Sequence, residues 1–79
     1  MIDIKTACDI ALKHMPGYIV CGASELHDGF LFSFSTKDGE EPDLDPMLVS
    51  KETGEIIGYD YNERFEEIWF AKPLDLTKI

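Results

Sequence analysis

Apolar residues near the N-terminus recur at the spacing of an α-helix. The residues that fall on one face at this spacing are Ile4, Ala7, Cys8, Ala11, Leu12 and Met15. Asp3 precedes them and can cap the helix, and Pro16 ends it because a residue before proline is pushed out of the α region. The pattern predicts a helix over Asp3–His14, whose small buried residues let it lie close against a sheet.

Period-two patterns then predict two strands, Tyr18–Leu26 and Phe30–Thr36, joined by a turn at residues 27–29. In the second strand, alternate positions carry Phe30, Phe32 and Phe34, so three aromatic rings point to one side and are expected to face the core. Both faces of the first strand are largely apolar. Because alternate residues of a strand point to the same side, one of these faces is expected to carry Ile19, Cys21 and Ala23.

A hairpin is predicted from the strands Met47–Lys51 and Glu55–Asp60, because Gly54 can adopt the positive φ that the turn between them requires. The polar segment Lys37–Asp45 is predicted to be a loop. The apolar residues expected on the sheet face opposite the helix are Leu31, Leu48 and Ile56. That face is expected to be open and to favour a partner.

The segment Asp60–Lys72 is predicted to hold a short second helix that ends before Pro73. Its apolar stripe comprises Tyr61, Phe65, Ile68 and Trp69. At helix spacing we interpret Phe65 and Trp69 as core residues. The alternative is an interface cluster that also includes Tyr59, because Tyr and Trp are enriched at binding hot spots. The tail, Leu74–Ile79, is expected either to add a short edge strand or to fray.

The order of these elements predicts the fold class. One helix, four strands and a second helix indicate a single α+β domain over residues 1–79, with the N-terminal helix packed on a four-stranded antiparallel sheet and a short C-terminal helix. A chain of 79 residues has room for one modest core. Self-association would add burial to so small a core, so a homodimer is a reasonable expectation.

The charge balance narrows the classes of partner. Seven basic against sixteen acidic residues give a net charge of −9, which disfavours nucleic acid and anionic membranes because both need a basic surface. A basic protein partner fits this charge, and solubility alone is the simpler explanation. The N-terminal residues do not follow the pattern of a secretory signal, no apolar run is long enough for a bilayer, and the two cysteines form no CxxC pair, so we expect a cytoplasmic protein with reduced thiols.

The most concentrated charge lies in the predicted loop. Its acidic residues are Asp38, Glu40, Glu41, Asp43 and Asp45. A solvated loop is the simplest interpretation, and we take these five residues as the candidate surface for a basic protein partner. Calcium is a weaker alternative, because the loop lacks the glycine and glutamate spacing of an EF-hand.

No pattern of catalytic or metal-binding residues is found. The soft ligands are Cys8, His14, Cys21 and His27, and their spacing is not that of a zinc site. We interpret both cysteines as small core residues and both histidines as surface residues. The chain also lacks a P-loop, a dinucleotide fingerprint, an HExxH motif and a nucleophile elbow, so we expect a protein that is not an enzyme and uses no cofactor or metal.

Three segments form a further pattern: an aromatic strand at Phe30–Phe34, a hairpin at Pro46–Ile56 that contains Lys51-Glu52-Thr53-Gly54-Glu55, and the stretch Ala71–Leu74. With the N-terminal helix they resemble small bacterial proteins of the YrhB-like type. The turn also resembles that of PepSY-type domains, which is the alternative. A YrhB-like identity implies a cystatin-like arrangement of helix on sheet and the role of an immunity protein that binds a toxin, and it implies no catalytic residues.

Two functional hypotheses follow. The first is a small non-catalytic binding protein, in the narrowest form an immunity-type protein that neutralises a toxin through its acidic surface. The alternative is a structural or assembly protein that homodimerises through its exposed sheet face, with the acidity serving solubility.

Overall fold

A computed structural model describes residues 1–40 and 45–75 of the chain. The elements in chain order are α1 (Ile4–His14), β1 (Tyr18–Glu25), β2 (Gly29–Thr36), β3 (Met47–Ser50), β4 (Ile56–Ile57), α2 (Phe65–Trp69) and β5 (Lys72–Pro73). The strands form an antiparallel sheet in the order β4-β3-β2-β1-β5. The α+β prediction is confirmed, but the described residues hold five strands where four were predicted.

Helix α1 begins and packs as its sequence predicts. The Asp3 carboxylate accepts a hydrogen bond from the Thr6 N–H at 2.8 Å, and this bond lowers the pKa of that carboxyl group. Ala7, Cys8 and Ala11 are buried against the sheet. Their small side chains allow the helix to approach the strands closely, so the first face of the sheet is well covered.

The phenylalanines of β2 form the centre of this first face, as predicted. Phe30, Phe32 and Phe34 are buried in one cluster with Val49 of β3 and the small residues of α1. Phe32 has no exposed surface. At one end of the cluster, the Lys51 ammonium lies 5.4 Å from the centre of the Phe30 ring and 2.9 Å from the Glu25 carboxylate. This lysine therefore covers the edge of the core while its charge is paired.

A β-bulge in β1 contradicts the predicted faces of that strand. The register of β1 on β2 shifts between Val20 and Gly22. Ala23 is opposite Phe32, and Val20 is opposite Phe34, so both face α1 although they are three positions apart. Cys21 is the extra residue and is exposed, which makes its predicted place in the core wrong, whereas Cys8 is buried as predicted.

The second face of the sheet is covered by the chain itself. Leu26, Leu31 and Leu48 form a second buried cluster. The partly buried residues packed on it are Ile57, Tyr59, Ile68 and Ala71. The prediction of an open face is therefore wrong at Leu31 and Leu48. Ile57 rather than Ile56 belongs to this face, because Ile57 pairs with Leu48 across the strands.

The C-terminal elements are shorter than predicted. The Asp60 carboxylate accepts a hydrogen bond from the Asn62 N–H at 2.9 Å, which closes a local turn, and helix α2 begins only at Phe65. The chain then runs into β5, where Lys72 pairs with Glu25 of β1. An edge strand is therefore present, but it lies at Lys72–Pro73, before the predicted tail Leu74–Ile79, and residues 76–79 of that tail lie outside the described residues.

Candidate functional site

The acidic residues predicted as a binding surface are only partly described. Asp38 and Glu40 are exposed in a turn after β2, and Asp45 is exposed just before β3. The turn is closed by the Thr36 hydroxyl and carbonyl oxygens, which accept from the N–H groups of Glu40 and Gly39, and the φ of Gly39 is +85°. Glu41 and Asp43 lie outside the described residues.

The described residues bring no metal-binding set together. Within residues 1–40 and 45–75, no group of three or more His, Cys, Asp or Glu side chains is arranged to hold a metal ion. His14 hydrogen-bonds the Ile10 carbonyl oxygen at 2.9 Å, and burial raises the pKa of the Cys8 thiol. None of the helices in the described part of the chain is long and apolar enough to cross a membrane.

Aromatic side chains on the outer side of α2 form the most unusual surface of the molecule. Phe65 is 45% exposed, Trp69 is 71% exposed, and Phe70 is 81% exposed. Together with the partly exposed Tyr61, these exposed side chains form what we call the aromatic surface. The interpretation of Phe65 and Trp69 as core residues is therefore wrong, and the alternative of an interface cluster agrees with their exposure.

The rings of the aromatic surface contact each other along the chain. The Tyr61 and Phe65 ring centres are 6.0 Å apart in an edge-to-face arrangement. The Phe65 and Trp69 ring centres are 5.8 Å apart, with ring planes inclined by 24°. Such contacts stabilise a definite arrangement of the rings, so the surface presents a row of aromatic side chains and not isolated apolar residues.

A second stripe of the same segment faces the sheet. Arg64, Ile68 and Ala71 point inward, and the side chain of Arg64 is only 16% exposed. The sequence offers two stripes at helical spacing, one with residues 61, 65 and 69 and one with residues 64, 68 and 71. The stripe predicted to be apolar comprised Tyr61, Phe65, Ile68 and Trp69, and of these Ile68 packs on the second buried cluster whereas Phe65 and Trp69 are exposed. The structure instead buries the stripe that contains Arg64, because the guanidinium group of this residue forms ion pairs with charged partners.

Those partners form a group of ion pairs that we call the Arg64 clamp. The guanidinium group donates to both carboxylate oxygens of Asp28, at 2.9 and 3.2 Å, and its Nε donates to Glu67 at 2.9 Å. His27 Nδ1 lies 3.2 Å from the Glu67 carboxylate. The clamp ties α2 to the turn between β1 and β2. Because the guanidinium group donates to both oxygens of one carboxylate, this ion pair fixes the relative orientation of the two side chains and also pairs their charges.

The clamp changes the titration of its members. Hydrogen bonds from Arg64 lower the pKa of Asp28 and the pKa of Glu67, and the same bonds raise the pKa of the guanidinium group. Both carboxylates are thus held in the charged form that the clamp requires. The side chains of Asp28 and Glu67 are 36% and 43% exposed, so solvent weakens the attraction.

The charge around the aromatic surface is negative. Arg64 is the only basic residue between positions 58 and 70, and its charge is used by the clamp. Asp60, Glu63 and Glu66 are exposed. Neither Glu63 nor Glu66 forms an ion pair with another described residue. Phe65 is therefore flanked in the sequence by two carboxylates that form no ion pair within the described part of the chain.

Tyr59 anchors the near end of this segment. Its hydroxyl group donates a hydrogen bond to the Pro46 carbonyl oxygen, and its ring packs on the second buried cluster. Burial, with a smaller contribution from Asp45, raises the pKa of Tyr59 to about 12. This tyrosine therefore supports the fold, while the aromatic surface begins two residues later at Tyr61.

Comparisons with protein-family models, with curated proteins and with solved structures found no match to this chain. The candidate site therefore depends on the geometry of the aromatic surface and the charges around it. The sequence signal that could have identified it is the presence of apolar residues on two stripes of one short helix, since a helix of five residues cannot bury both.

Proposed function

We propose that this chain is a small non-catalytic protein-binding domain and that the aromatic surface is its main contact with a protein partner. The observation that carries the proposal is the exposure of Trp69 and Phe70, at 71% and 81%, in a chain that buries Phe32, Leu48 and Val49 completely. Contiguous exposed apolar groups mark interaction sites, and Trp and Tyr are enriched among residues that dominate binding energy.

The charge of the chain supports a basic partner. A net charge of −9 attracts a basic protein and accelerates its association. In this proposal the acidic residues attract the partner over a distance; they are Asp38, Glu40, Glu41, Asp43 and Asp45. The aromatic surface supplies the direct contact, from which water is excluded on binding. The proposal includes a cytoplasmic location, supported by two free cysteines.

Neutralisation of a toxin is the narrower form of the proposal. It follows from the resemblance to YrhB-like proteins, and the packing of α1 across an antiparallel sheet supports the cystatin-like arrangement that this resemblance implies. The alternative of a homodimer through an open sheet face loses its premise at Leu31 and Leu48, which α2 and its neighbours cover.

Site-specific photo-crosslinking in host cells tests the proposal. A photoreactive phenylalanine at position 69 is compared with the same residue at position 5, an exposed position on α1. We expect one protein to be crosslinked from position 69 and not from position 5. Equal crosslinking from both positions, or none from position 69, would contradict the proposal. Circular dichroism of both purified variants establishes that each is folded.

A further inference from the structure

We propose that the aromatic surface receives a helical segment of the partner that carries arginine side chains four positions apart. In this arrangement the guanidinium groups lie against the exposed Phe65 and Trp69 side chains and pair with Glu63 and Glu66. The inference rests on the proposed function and names the chemistry of the partner at the same site. Three features of the surface lead to it.

The first feature is charge complementarity. Glu63 and Glu66 are exposed and flank Phe65 in the sequence. Neither has an ion-pair partner in residues 1–40 and 45–75. Arg64, which could have neutralised them, points to Asp28 and Glu67. A ligand with positively charged side chains can form ion pairs with these carboxylates. A neutral apolar ligand would instead remove water from them without pairing their charges, which is unfavourable.

The second feature is the chemistry of the rings. A cation is attracted to the face of Trp, Tyr or Phe, and a planar guanidinium group stacks on such a face more readily than an ammonium group. The methylene stem of arginine also covers apolar surface while its charge remains near a carboxylate. Arginine is thus the side chain that matches both the exposed rings and the acids between them.

The third feature is the spacing of the rings. Their centres are 6.0 and 5.8 Å apart between Tyr61, Phe65 and Trp69. Side chains four positions apart on a partner helix are separated by about 5–6 Å, whereas alternate residues of a strand are about 6.6 Å apart. A helix laid along this row therefore brings successive side chains to successive rings.

Other occupants fit less well. A second copy of the chain carries the same net charge of −9 and the same carboxylates around its own rings, so the two surfaces repel each other. Nucleic acid would place phosphates beside these acids. An arginine-bearing protein segment is the occupant that the charges favour.

Trp69 makes the inference directly measurable, because it is the only tryptophan in the chain and lies within the surface. The probe is a synthetic helical peptide of alanine and glutamine with three arginines four positions apart, titrated while Trp69 emission is recorded. Two control peptides have the same length, one with the arginines two positions apart and one with glutamates in their place. We expect a saturable change with the first peptide, roughly fivefold weaker binding of the second and no change with the third.

A matched pair of double variants separates the site from general attraction. E63Q/E66Q removes the two carboxylates that flank Phe65 in the sequence, and D9N/E55Q removes the same charge from two other exposed positions, one on α1 and one in the turn after β3. Helix α1 packs on the face of the sheet opposite to that covered by α2. We expect about a tenfold loss of affinity for the first variant and less than about twofold for the second. Equal losses would overturn the site assignment.

The outcomes distinguish this inference from the proposed function. If the arginine peptide fails to change Trp69 emission while position 69 still crosslinks to a protein, the inference is overturned and the proposed function stands. If position 69 crosslinks to nothing, the proposed function fails as well. Sedimentation that shows a dimer in the wild type and a monomer in Trp69→Ala would identify a second copy as the occupant and would also overturn the inference.

Discussion

The two faces of the sheet are covered in different ways. On the first face, the eleven residues of α1 pack small side chains against the phenylalanines of β2, and the contact is almost wholly apolar. On the second face, the five residues of α2 contribute Ile68 to the buried cluster, and Arg64 holds the helix in place through ion pairs. The comparison shows that charged side chains can substitute for apolar burial in placing a helix. Aromatic residues that would otherwise be needed for packing then remain available to a partner.

The largest expected effect is on the first face. Phe32→Ala removes a side chain with no exposed surface, and such a substitution costs about 3–5 kcal/mol of unfolding free energy. A domain of this size has little more stability than that, so we expect the variant to be largely unfolded. Urea denaturation followed by circular dichroism checks the prediction. A loss below about 1 kcal/mol would mean that the first face is not the main source of stability.

The clamp on the second face should have a smaller and more local effect. Arg64→Gln breaks the pairs with Asp28 and Glu67, and we expect the docking of α2 to weaken by about 1 kcal/mol because both carboxylates are partly exposed. The amide protons of Ile68 and Phe70 should then exchange roughly fivefold faster. Exchange within α1 is the internal control. Equal acceleration in both helices would show that the clamp stabilises the whole domain.

Acid should weaken the second face in the same way. The pKa of Asp28 is lowered in the folded protein, so its contribution is fully present above its unfolded pKa, about 3.9, and is lost as the pH falls through the lower folded value. We therefore expect exchange of the α2 amides to accelerate beyond its normal pH dependence below about pH 4. Asp28→Asn, which is neutral at every pH, is expected to lose this response. An unchanged response would assign the acid sensitivity to other carboxyl groups.

The smallest effect should come from the aromatic surface. Trp69→Ala and Phe70→Ala remove side chains that are 71% and 81% exposed, so we expect each to change the unfolding free energy by less than about 0.5 kcal/mol. Urea denaturation by circular dichroism gives the value. A loss comparable to that of Phe32→Ala would show that these rings are part of the core and would remove the main support for a binding surface.

The two faces also differ in how far the sequence predicts them. Helix α1 has a capping residue, one apolar stripe and a proline, and these local signals agree. Its end at His14 and its buried face were therefore predicted correctly, and its start was predicted to within one residue. Helix α2 has two stripes, and the choice between them is made by Asp28, which lies 36 positions away from Arg64. No local pattern contains that information. The bulge at Cys21 was missed for a related reason, since both faces of β1 are apolar and alternation does not reveal the extra residue.

The acidic residues of the predicted binding surface illustrate another limit. The sequence identifies their charge, and the described residues show that Asp38, Glu40 and Asp45 are exposed. Exposure of an acid is the normal state and does not distinguish a binding residue from a solvated one. Exposure of a tryptophan is not normal, and for this reason the structure adds more to the aromatic surface than to the acidic loop.

The bulge in β1 gives the protein a single convenient attachment point. Cys21 is exposed there, whereas Cys8 is buried and its thiol pKa is raised, so a thiol-reactive dye at neutral pH should label the strand and spare the helix. If the dye on Cys21 absorbs tryptophan emission, resonance energy transfer from the unique Trp69 to the dye would report the distance between these two positions. The efficiency of transfer would then follow the separation of α2 from the sheet in solution, without any further substitution in the chain.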